Sequence, residues 1–295
     1  MKKRHIILST TQLILLSFLI AIFIGTLLLS LPISTIDRTS VPFIDALFTA
    51  TTATCVTGLV TVPTVTTWSY FGQTVILILI QIGGLGIITM ASGLMIALHR
   101  KIGLGDRLLI KDAFNLDTLF DLTKFIKKVI FGTFLIEGVG ALLYLPVFVP
   151  AFGVRGIWIS IFNSVSAFCN AGIDIVSTNS LADFACHPLA NFVTCALIIL
   201  GGLGFIVWWD ILRVVRTVRH HRLKRLTLHS KIVLSMTAIL VIGGAILFFV
   251  FECDNPLTIG EHNWYEKIQL SLFQSVTTRT AGFSTISQQG LTNAS

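Results

Sequence analysis

Long apolar runs alternate with shorter semi-polar segments along most of the chain, and the long runs predict membrane-spanning helices. A helix that crosses a hydrocarbon core of about 30 Å needs about 20 residues, since each adds about 1.5 Å. Five runs reach that length: residues 13–31, 70–98, 129–154, 188–209 and 232–251. The pattern therefore predicts an all-α polytopic membrane protein.

Composition excludes a water-soluble protein. Hydrophobic residues make up 54% of the 295 residues and charged residues 12%, and the mean hydropathy is +0.87. Residues 46–99 contain no Asp, Glu, Lys or Arg, so too little polar surface is left to cover a soluble core. The first run follows Met1, Lys2, Lys3 and Arg4 without a small-residue cleavage site, which favours an uncleaved first span over a signal peptide.

The basic residues are concentrated on one side of the predicted membrane. The N-terminus and the loops at 100–128 and 213–231 carry 17 of the 21 Lys and Arg residues. The positive-inside rule then places all three in the cytoplasm. The net charge of +7 therefore indicates orientation and contact with membrane lipids rather than binding of nucleic acid. We expect a multi-pass protein of the cytoplasmic membrane.

An internal repeat organises the chain. The motif Gly-Gly-Leu-Gly occurs at 83–86 and 201–204, and semi-polar segments that close on a glycine precede it at 47–58 and 161–172. A third such segment, 272–283, is one residue shorter between its aromatic residue and its glycine. Segments such as 43–54 and 157–168 are too short to span a bilayer, so we predict re-entrant pore helices.

One unit is thus a span, a re-entrant pore helix, a glycine loop and a second span. We assign 1–105 to a first pore unit, 106–225 to a second and 226–295 to an incomplete third, with the fourth unit absent. Non-helical backbone at membrane depth needs a polar partner, and a permeating cation supplies one. Glycine allows each loop to turn its carbonyl groups toward a shared axis. Four units would complete a ring of carbonyls around a central pore.

The glycine loops carry a resemblance to a known family. Their sequences, Cys-Val-Thr-Gly-Leu at 55–59, Phe-Cys-Asn-Ala-Gly at 168–172 and Thr-Arg-Thr-Ala-Gly-Phe at 278–283, resemble those of the Trk/Ktr/HKT superfamily of potassium transporters, most closely its KtrB-type membrane subunits. The resemblance implies potassium uptake through a carbonyl-lined selectivity filter, with potassium as the substrate and no bound cofactor. The residues that it places along the ion path are Val56, Thr57, Gly58, Asn170, Ala171, Gly172, Thr280, Ala281 and Gly282.

The resemblance also implies partners. Members of the superfamily have four units in one polypeptide, so this chain is expected to be a piece of a longer subunit. They form homodimers on cytosolic nucleotide-binding regulatory subunits of the KtrA type. In the family, glycine rather than serine at position 58 favours potassium over sodium. A sodium-permeable or sodium-coupled transporter and a non-conducting fragment stay open as alternatives. No H-E-x-x-H, G-x-S-x-G or nucleotide-binding loop indicates an enzyme.

Several further residues allow two interpretations each. The Gly-Gly-Leu-Gly motifs favour close helix packing over a hinge. The arginines that recur at every third position from 213 to 225 favour a helix extension at the membrane surface over a voltage sensor. Glu137, inside a predicted span, has either a transport role or a structural pairing with a Lys or Arg. Arg279 is expected to brace the third loop from behind, because a cation in the ion path would repel the permeant ion.

Acidic residues and cysteines complete the candidates. Four carboxylates either concentrate cations at the outer mouth or are simply solvated; they are Asp45, Asp174, Glu252 and Glu266. Most of the five cysteines are expected to be small buried residues, since no pair has a metal-ligand spacing. A disulfide between Cys186 and Cys253, both in predicted outer loops, is left open.

Overall fold

A computed structural model describes residues 10–86, 89, 122–218 and 226–295. Lys2, Lys3, Arg4, most of the loop at 100–128, and Arg219, Arg222 and Arg225 lie outside the described residues. The α-helices are α1 (Thr10–Leu29), α2 (Phe43–Cys55), α3 (Thr64–Thr67), α4 (Tyr70–Leu85), α5 (Leu122–Phe152), α6 (Arg155–Phe168), α7 (Pro188–Leu203), α8 (Phe205–Val218), α9 (Leu228–Glu252) and α10 (Trp264–Thr277).

Each of the five predicted spans contains an apolar helix. Judged by length and composition alone, the apolar stretches of α5 and α9 (Lys124–Phe152 and Leu228–Glu252) are long enough to cross a membrane. The α7–α8 pair makes a third crossing if its two bent halves count as one span. Ile14–Leu29 and Tyr70–Leu85 are shorter apolar helices. The helical architecture of a polytopic membrane protein is confirmed.

The last glycine of each Gly-Gly-Leu-Gly motif ends a helix within a predicted span. The predicted helix at 188–209 is wrong as a continuous element, because it bends by 99° between α7 and α8. Gly204, at the bend, has φ of +82°, and Gly86, which ends α4, has φ of +79°. An α-helix requires negative φ, so a residue in this conformation ends it.

Three short helices, α2, α6 and α10, correspond to the predicted re-entrant segments. Their polar side chains are buried although the helices are semi-polar: Ser160, Asn163, Ser164 and Ser166 of α6 are all 0% exposed. A helix that buries hydroxyl and amide groups must pack against protein rather than lipid. Helix α2 packs on α1 and α4, α6 on α7, and α10 on α7 and α9.

The chain forms two compact units. The first comprises Met1–Val56, Val60–Val62 and Thr66–Leu135, and the second comprises Thr57–Leu59, Pro63–Val65 and Ile136–Ser295. The first unit therefore contains α1, α2, α4 and the first part of α5. The second unit contains α6 to α10 and, from the first repeat, the short segment that carries Gly58. All three predicted filter glycines thus belong to one unit.

Candidate functional site

The three glycine loops, residues 56–58, 170–172 and 280–282, share one backbone conformation. In each loop φ is positive at the first residue, negative at the second and positive at the glycine. The positive values are +56° at Val56, +58° at Asn170, +64° at Thr280, +83° at Gly58, +65° at Gly172 and +82° at Gly282. The repeat inferred from sequence is therefore a repeat of backbone geometry. The one-residue difference of the third copy lies before Thr280.

Positive φ at the first position is costly for two of the three residues. Val56 and Thr280 are β-branched, and such residues rarely adopt the left-handed conformation. Each costs about 1–3 kcal/mol, which persists only where the surroundings impose it. Sequence reasoning assigned the conformational requirement to the glycines alone. The residue two positions before each glycine also has positive φ. Of these three residues, only Asn170 is of a type that commonly adopts this conformation.

In two of the glycine loops, one residue of the preceding short helix holds both ends of the loop, one end through its backbone carbonyl and the other through its hydroxyl group. Ser166 of α6 accepts a hydrogen bond at its carbonyl from the Ala171 N–H (2.8 Å), and its Oγ donates to the carbonyl of Ile173 (2.5 Å). Thr277 of α10 accepts from the Ala281 N–H (2.9 Å), and its Oγ1 donates to the carbonyl of Phe283 (2.6 Å). This double hydrogen bond, here called the hydroxyl clamp, was not predicted from the sequence.

The glycines of the three loops meet within the second unit. A Cβ atom on Gly58 would lie 2.8 Å from the Ala171 carbonyl oxygen and 3.3 Å from the Gly282 Cα. A Cβ atom on Gly172 would lie 2.5 Å from the Gly282 Cα and closer still to the Ala281 carbonyl oxygen. Only glycine allows such an approach, because every other residue places a carbon atom there.

The described geometry thus brings Gly58, Gly172 and Gly282 together, with the carbonyls of Ala171 and Ala281 between them. Thr57 belongs to the same unit, whereas Val56 belongs to the first unit. Asn170 turns its side chain away from the glycines: in the amide orientation that satisfies its neighbours, it donates to the carbonyls of Ala167 and Ile198 (3.2 Å each).

The Arg279 side chain lies near Gly202 of α7. A Cβ atom on Gly202 of α7 would be 3.8 Å from one of its terminal nitrogens. Its Nη1 is buried with no hydrogen-bond partner among the described residues. This places the guanidinium beside α7. That Arg279 braces the loop from behind stays a prediction.

The first glycine of each Gly-Gly-Leu-Gly motif packs against the end of a short helix. A Cβ atom on Gly201 would collide with the carbonyl oxygen of Phe168, the last residue of α6. In the first unit a Cβ atom on Gly83 would collide with the carbonyl oxygen of Thr54 and lie 2.8 Å from the Val56 Cγ2. Close packing is therefore confirmed for the first glycine, while the last glycine of each motif ends its helix.

Two of the four candidate carboxylates have structural roles. Glu252 is fully buried and accepts hydrogen bonds from the side chains of Asn255 and Thr258 (2.6 Å each) and from the N–H of Thr292 (2.8 Å). Neither predicted role, solvation or cation attraction at the mouth, fits a carboxylate enclosed in this way. Glu266 belongs to a capping box with Asn263 at the start of α10, which stabilises that helix.

Asp174 and Glu137 lie near the second glycine loop. The N–H of Val176 donates to the Asp174 Oδ1 (3.2 Å), and burial raises the pKa of Asp174 to about 6 although hydrogen bonds from Ser180 and Val176 act in the opposite direction. Glu137 is buried, with its Oε1 3.9 Å from the Cys169 Sγ. Its two sequence-based interpretations both stay open. Asp45 lies in the first turn of α2.

The cysteines are all free thiols, so the disulfide between Cys186 and Cys253 is not formed. The prediction that most of them are buried is wrong, since Cys55 is exposed and only Cys169 is buried.

The Cys186 Sγ lies 3.5 Å from the His262 Nδ1. Partial burial, with the nearby Glu266 carboxylate, raises the pKa of the Cys186 thiol. This cluster joins residues 76 positions apart and has no local sequence signal.

The first of the periodic arginines forms an ion pair with an aspartate of the same helix. Arg213 bonds to the buried Asp210 one turn earlier in α8, and the other Asp210 oxygen accepts from the N–H of Thr227 (2.8 Å). An acid that the sequence did not single out therefore partners the first arginine of the series. The side chains of the later arginines lie outside the described residues.

Comparisons with known proteins support the family resemblance that the sequences of these loops indicated. The TrkH family, described as a cation transport protein, matches residues 8–294. The chain belongs to the TrkH family. The "Potassium/sodium uptake protein NtpJ" of Enterococcus hirae is 44% identical over 288 residues, which are 97% of this chain and 62% of that protein. The "Ktr system potassium uptake protein B" of Bacillus subtilis is 40% identical over 276 residues, 93% of this chain and 60% of that protein.

A solved structure shows the same fold. The potassium transporter TrkH from Vibrio parahaemolyticus superposes with a TM-score of 0.63 at 16% identity, over 97% of this chain and 54% of that one. Identity at this level supports the fold alone. The chain spans about three fifths of the length of the curated relatives that it matches. The membership of the Trk/Ktr superfamily inferred from the glycine loops is confirmed.

Proposed function

We propose that this chain forms part of the ion-translocating subunit of a Ktr/Trk-type system, and that potassium ions pass along the glycine loops. The observation that carries the proposal is the meeting of three loops with the same alternation of φ at Gly58, Gly172 and Gly282. The ion path would be lined by carbonyls from Val56 to Gly58, Asn170 to Gly172 and Thr280 to Gly282. No covalent chemistry is involved.

The chemistry of the loops suits a dehydrated alkali cation. Backbone carbonyls arranged around an axis replace the water molecules that the ion loses. In the second unit, α6 and α10 each end just before a loop, so their C-terminal dipoles add about half a negative charge apiece at the site. The hydroxyl clamp turns the carbonyls of Ile173 and Phe283 toward the short helices. This limits the proposed ion path to the residues before them.

The glycines test the proposal directly. In the full-length transporter reconstituted in liposomes, Gly172→Ala should reduce rubidium uptake at least tenfold, because its Cβ atom would displace Gly282. Gly153→Ala is the matched control: Gly153 has a similar φ of +59° but no neighbouring atom within 4 Å. It reproduces the backbone strain without the contact and should keep most of the uptake. Equal losses in both variants would mean that strain alone matters and would count against a shared ion path.

Selectivity has an alternative that one relative supports. The name of NtpJ includes sodium as well as potassium, so a sodium-permeable or sodium-coupled transporter is the second candidate. Competition of sodium against rubidium uptake separates the two. We expect potassium preference, which Gly58→Ser should weaken. A parent protein in which sodium and potassium compete equally would favour the alternative.

The proposal extends to partners and membrane orientation. The relatives named as parts of a Ktr system support assembly with a regulatory subunit, for which we propose a cytosolic nucleotide-binding protein of the KtrA type on a homodimer of the membrane subunit. The protein would lie in the cell membrane with its N-terminus in the cytoplasm. Co-purification of the full-length subunit with its regulatory partner tests the assembly. A complex that contains a single copy of the membrane subunit would contradict the proposed homodimer.

A further inference from the structure

Three side chains of different chemistry meet where α10 begins. Cys186 lies just before α7, whereas His262 and Glu266 flank Asn263, the N-cap of α10. The Cys186 Sγ and the His262 Nδ1 are 3.5 Å apart, and the His262 Nδ1 and the Glu266 Oε2 are 3.3 Å apart. One ligand atom from each residue lies within 4.8 Å of the other two.

The sulfur–nitrogen and nitrogen–oxygen separations are close to those of ligand atoms around one tetrahedral zinc ion. With a Zn–S bond of about 2.3 Å and Zn–N and Zn–O bonds of about 2.1 Å, tetrahedral angles put sulfur about 3.6 Å from nitrogen and nitrogen about 3.4 Å from oxygen. Without an ion, the imidazole and the thiol can both donate to the Glu266 carboxylate. With an ion present, the same sulfur, nitrogen and oxygen atoms would be its ligands.

The surrounding structure holds the three residues in place. The carbonyl of Ala185, the residue before Cys186, accepts hydrogen bonds from Asn191 of α7 (2.5 Å) and from Gln269 of α10 (3.5 Å). Ala185 also packs against the buried cluster of Ile259, Leu270 and Ile286. A site whose supports are fixed before binding loses little conformational entropy when an ion arrives.

We propose that Cys186, His262 and Glu266 bind a divalent transition-metal ion of the zinc class, with water at the fourth position. Thiolate and imidazole ligands select zinc or cadmium over magnesium, calcium and alkali cations. The ligands come from the segment before α7 and from the first turn of α10. The ion would therefore link the second repeat to the start of the third short helix. The N–H of Asn263 donates to the Glu266 Oε2 (3.1 Å) and would orient the carboxylate as an outer-shell partner.

Metal titration of the purified full-length transporter in detergent tests the proposal without any measurement of transport. Cadmium alone should bind saturably and produce the ultraviolet absorption of a cadmium–thiolate bond. Cys186→Ser should abolish that absorption and weaken zinc binding at least tenfold. Cys253→Ser is the control, because Cys253 contributes only its backbone carbonyl to this region, as acceptor for Lys267. It should leave both signals unchanged.

A second variant keeps the test valid if Cys186→Ser fails to fold. Glu266→Gln preserves the capping box, which accepts Gln as well as Glu at this position, but removes the charged ligand. It should weaken zinc binding roughly tenfold and retain the cadmium–thiolate absorption. The proposal is overturned if the parent shows no saturable cadmium–thiolate signal, if Cys186→Ser or Glu266→Gln binds zinc as the parent does, or if Cys253→Ser loses as much as Cys186→Ser.

Discussion

At the scale of single residues, the glycine loops depend on atoms that lie outside them. Thr277 and Ser166 each accept from the N–H of the loop's second residue and donate to the carbonyl that follows the glycine. Two hydrogen bonds from one residue fix both ends of a strained segment. The clamp therefore supplies part of the free energy that keeps Thr280 at positive φ.

Thr277→Val removes the hydroxyl bond of the clamp with little change in volume and leaves the bond from the Ala281 N–H to the Thr277 carbonyl in place. The Phe283 carbonyl would lose its donor, which costs about 1–3 kcal/mol for a buried group. We expect a lower melting temperature in detergent and reduced rubidium uptake by the full-length transporter. Thr277→Ser keeps the hydroxyl and should behave like the parent. If valine and serine gave the same melting temperature and uptake, the hydroxyl bond of the clamp would have no measurable role.

Asp174 predicts a pH dependence. Its folded-state pKa is raised to about 6, with burial as the largest cause, so the side chain loses its negative charge as the pH falls through 6. A unit charge acting through water across about 10 Å changes the local cation concentration roughly twofold. We expect uptake at limiting potassium to fall about twofold between pH 7.5 and pH 5.

The variant Asp174→Asn isolates that contribution. At both pH 7.5 and pH 5 this variant should show the uptake that the parent has at pH 5. The control is Asp183→Asn, which removes an exposed charge from the same connecting segment and should keep the parent's pH profile. The initial rate of uptake is measured at several external pH values. A full pH response in Asp174→Asn would assign the titration to another group.

At the scale of elements, the adjacent glycines Gly201 and Gly202 of α7 have different structural roles. A Cβ atom on Gly201 would collide with the Phe168 carbonyl at the end of α6, whereas the nearest atom to a Cβ on Gly202 is 3.6 Å away. Gly201→Ala should therefore push α7 away from α6 and lower both stability and uptake. Gly202→Ala should be tolerated and can even stabilise the helix by roughly 1 kcal/mol. Thermal unfolding of the two variants, side by side, measures the difference, and similar melting temperatures would contradict the packing role.

The helices could be predicted from sequence because two independent signals coincide. Length and apolarity identify the spans, and a polar segment of about 12 residues between spans identifies a re-entrant helix, as at α2 and α6. The break at Gly204 could not be predicted, since a glycine in an apolar run is compatible with both packing and bending. The choice depends on a backbone conformation that the tertiary structure imposes.

The candidate site divides in the same way. The glycines could be found because only glycine satisfies positive φ and close approach together. The hydroxyl clamp could not be predicted because Ser and Thr are common in all three short helices. Only the tertiary structure distinguishes Ser166 and Thr277 from the others. Glu252 was misjudged because a carboxylate beside a loop is normally solvated, whereas its partners here include Thr292, 40 residues away. The cluster of Cys186, His262 and Glu266 likewise depends on long-range contacts.

At the scale of the whole molecule, the distribution of charge predicts how the protein lies in the membrane. Helix α9 offers a direct test, because its two ends are predicted to lie on opposite sides. His229 is in its first turn and Glu261 follows its C-terminal end, and both side chains are exposed. Basic residues cluster before α9, so the positive-inside rule puts His229 in the cytoplasm and Glu261 outside.

Cysteine labelling in intact cells tests this orientation. In the full-length transporter with its native cysteines replaced by serine, Glu261→Cys should react with a membrane-impermeant maleimide. His229→Cys should react only after the cells are permeabilised. The cysteine-free protein controls for background labelling, and rubidium uptake confirms that each variant is folded. The reverse pattern would invert the membrane topology and place the C-terminal ends of α2, α6 and α10, with the glycine loops that follow them, the other way round relative to the cytoplasm.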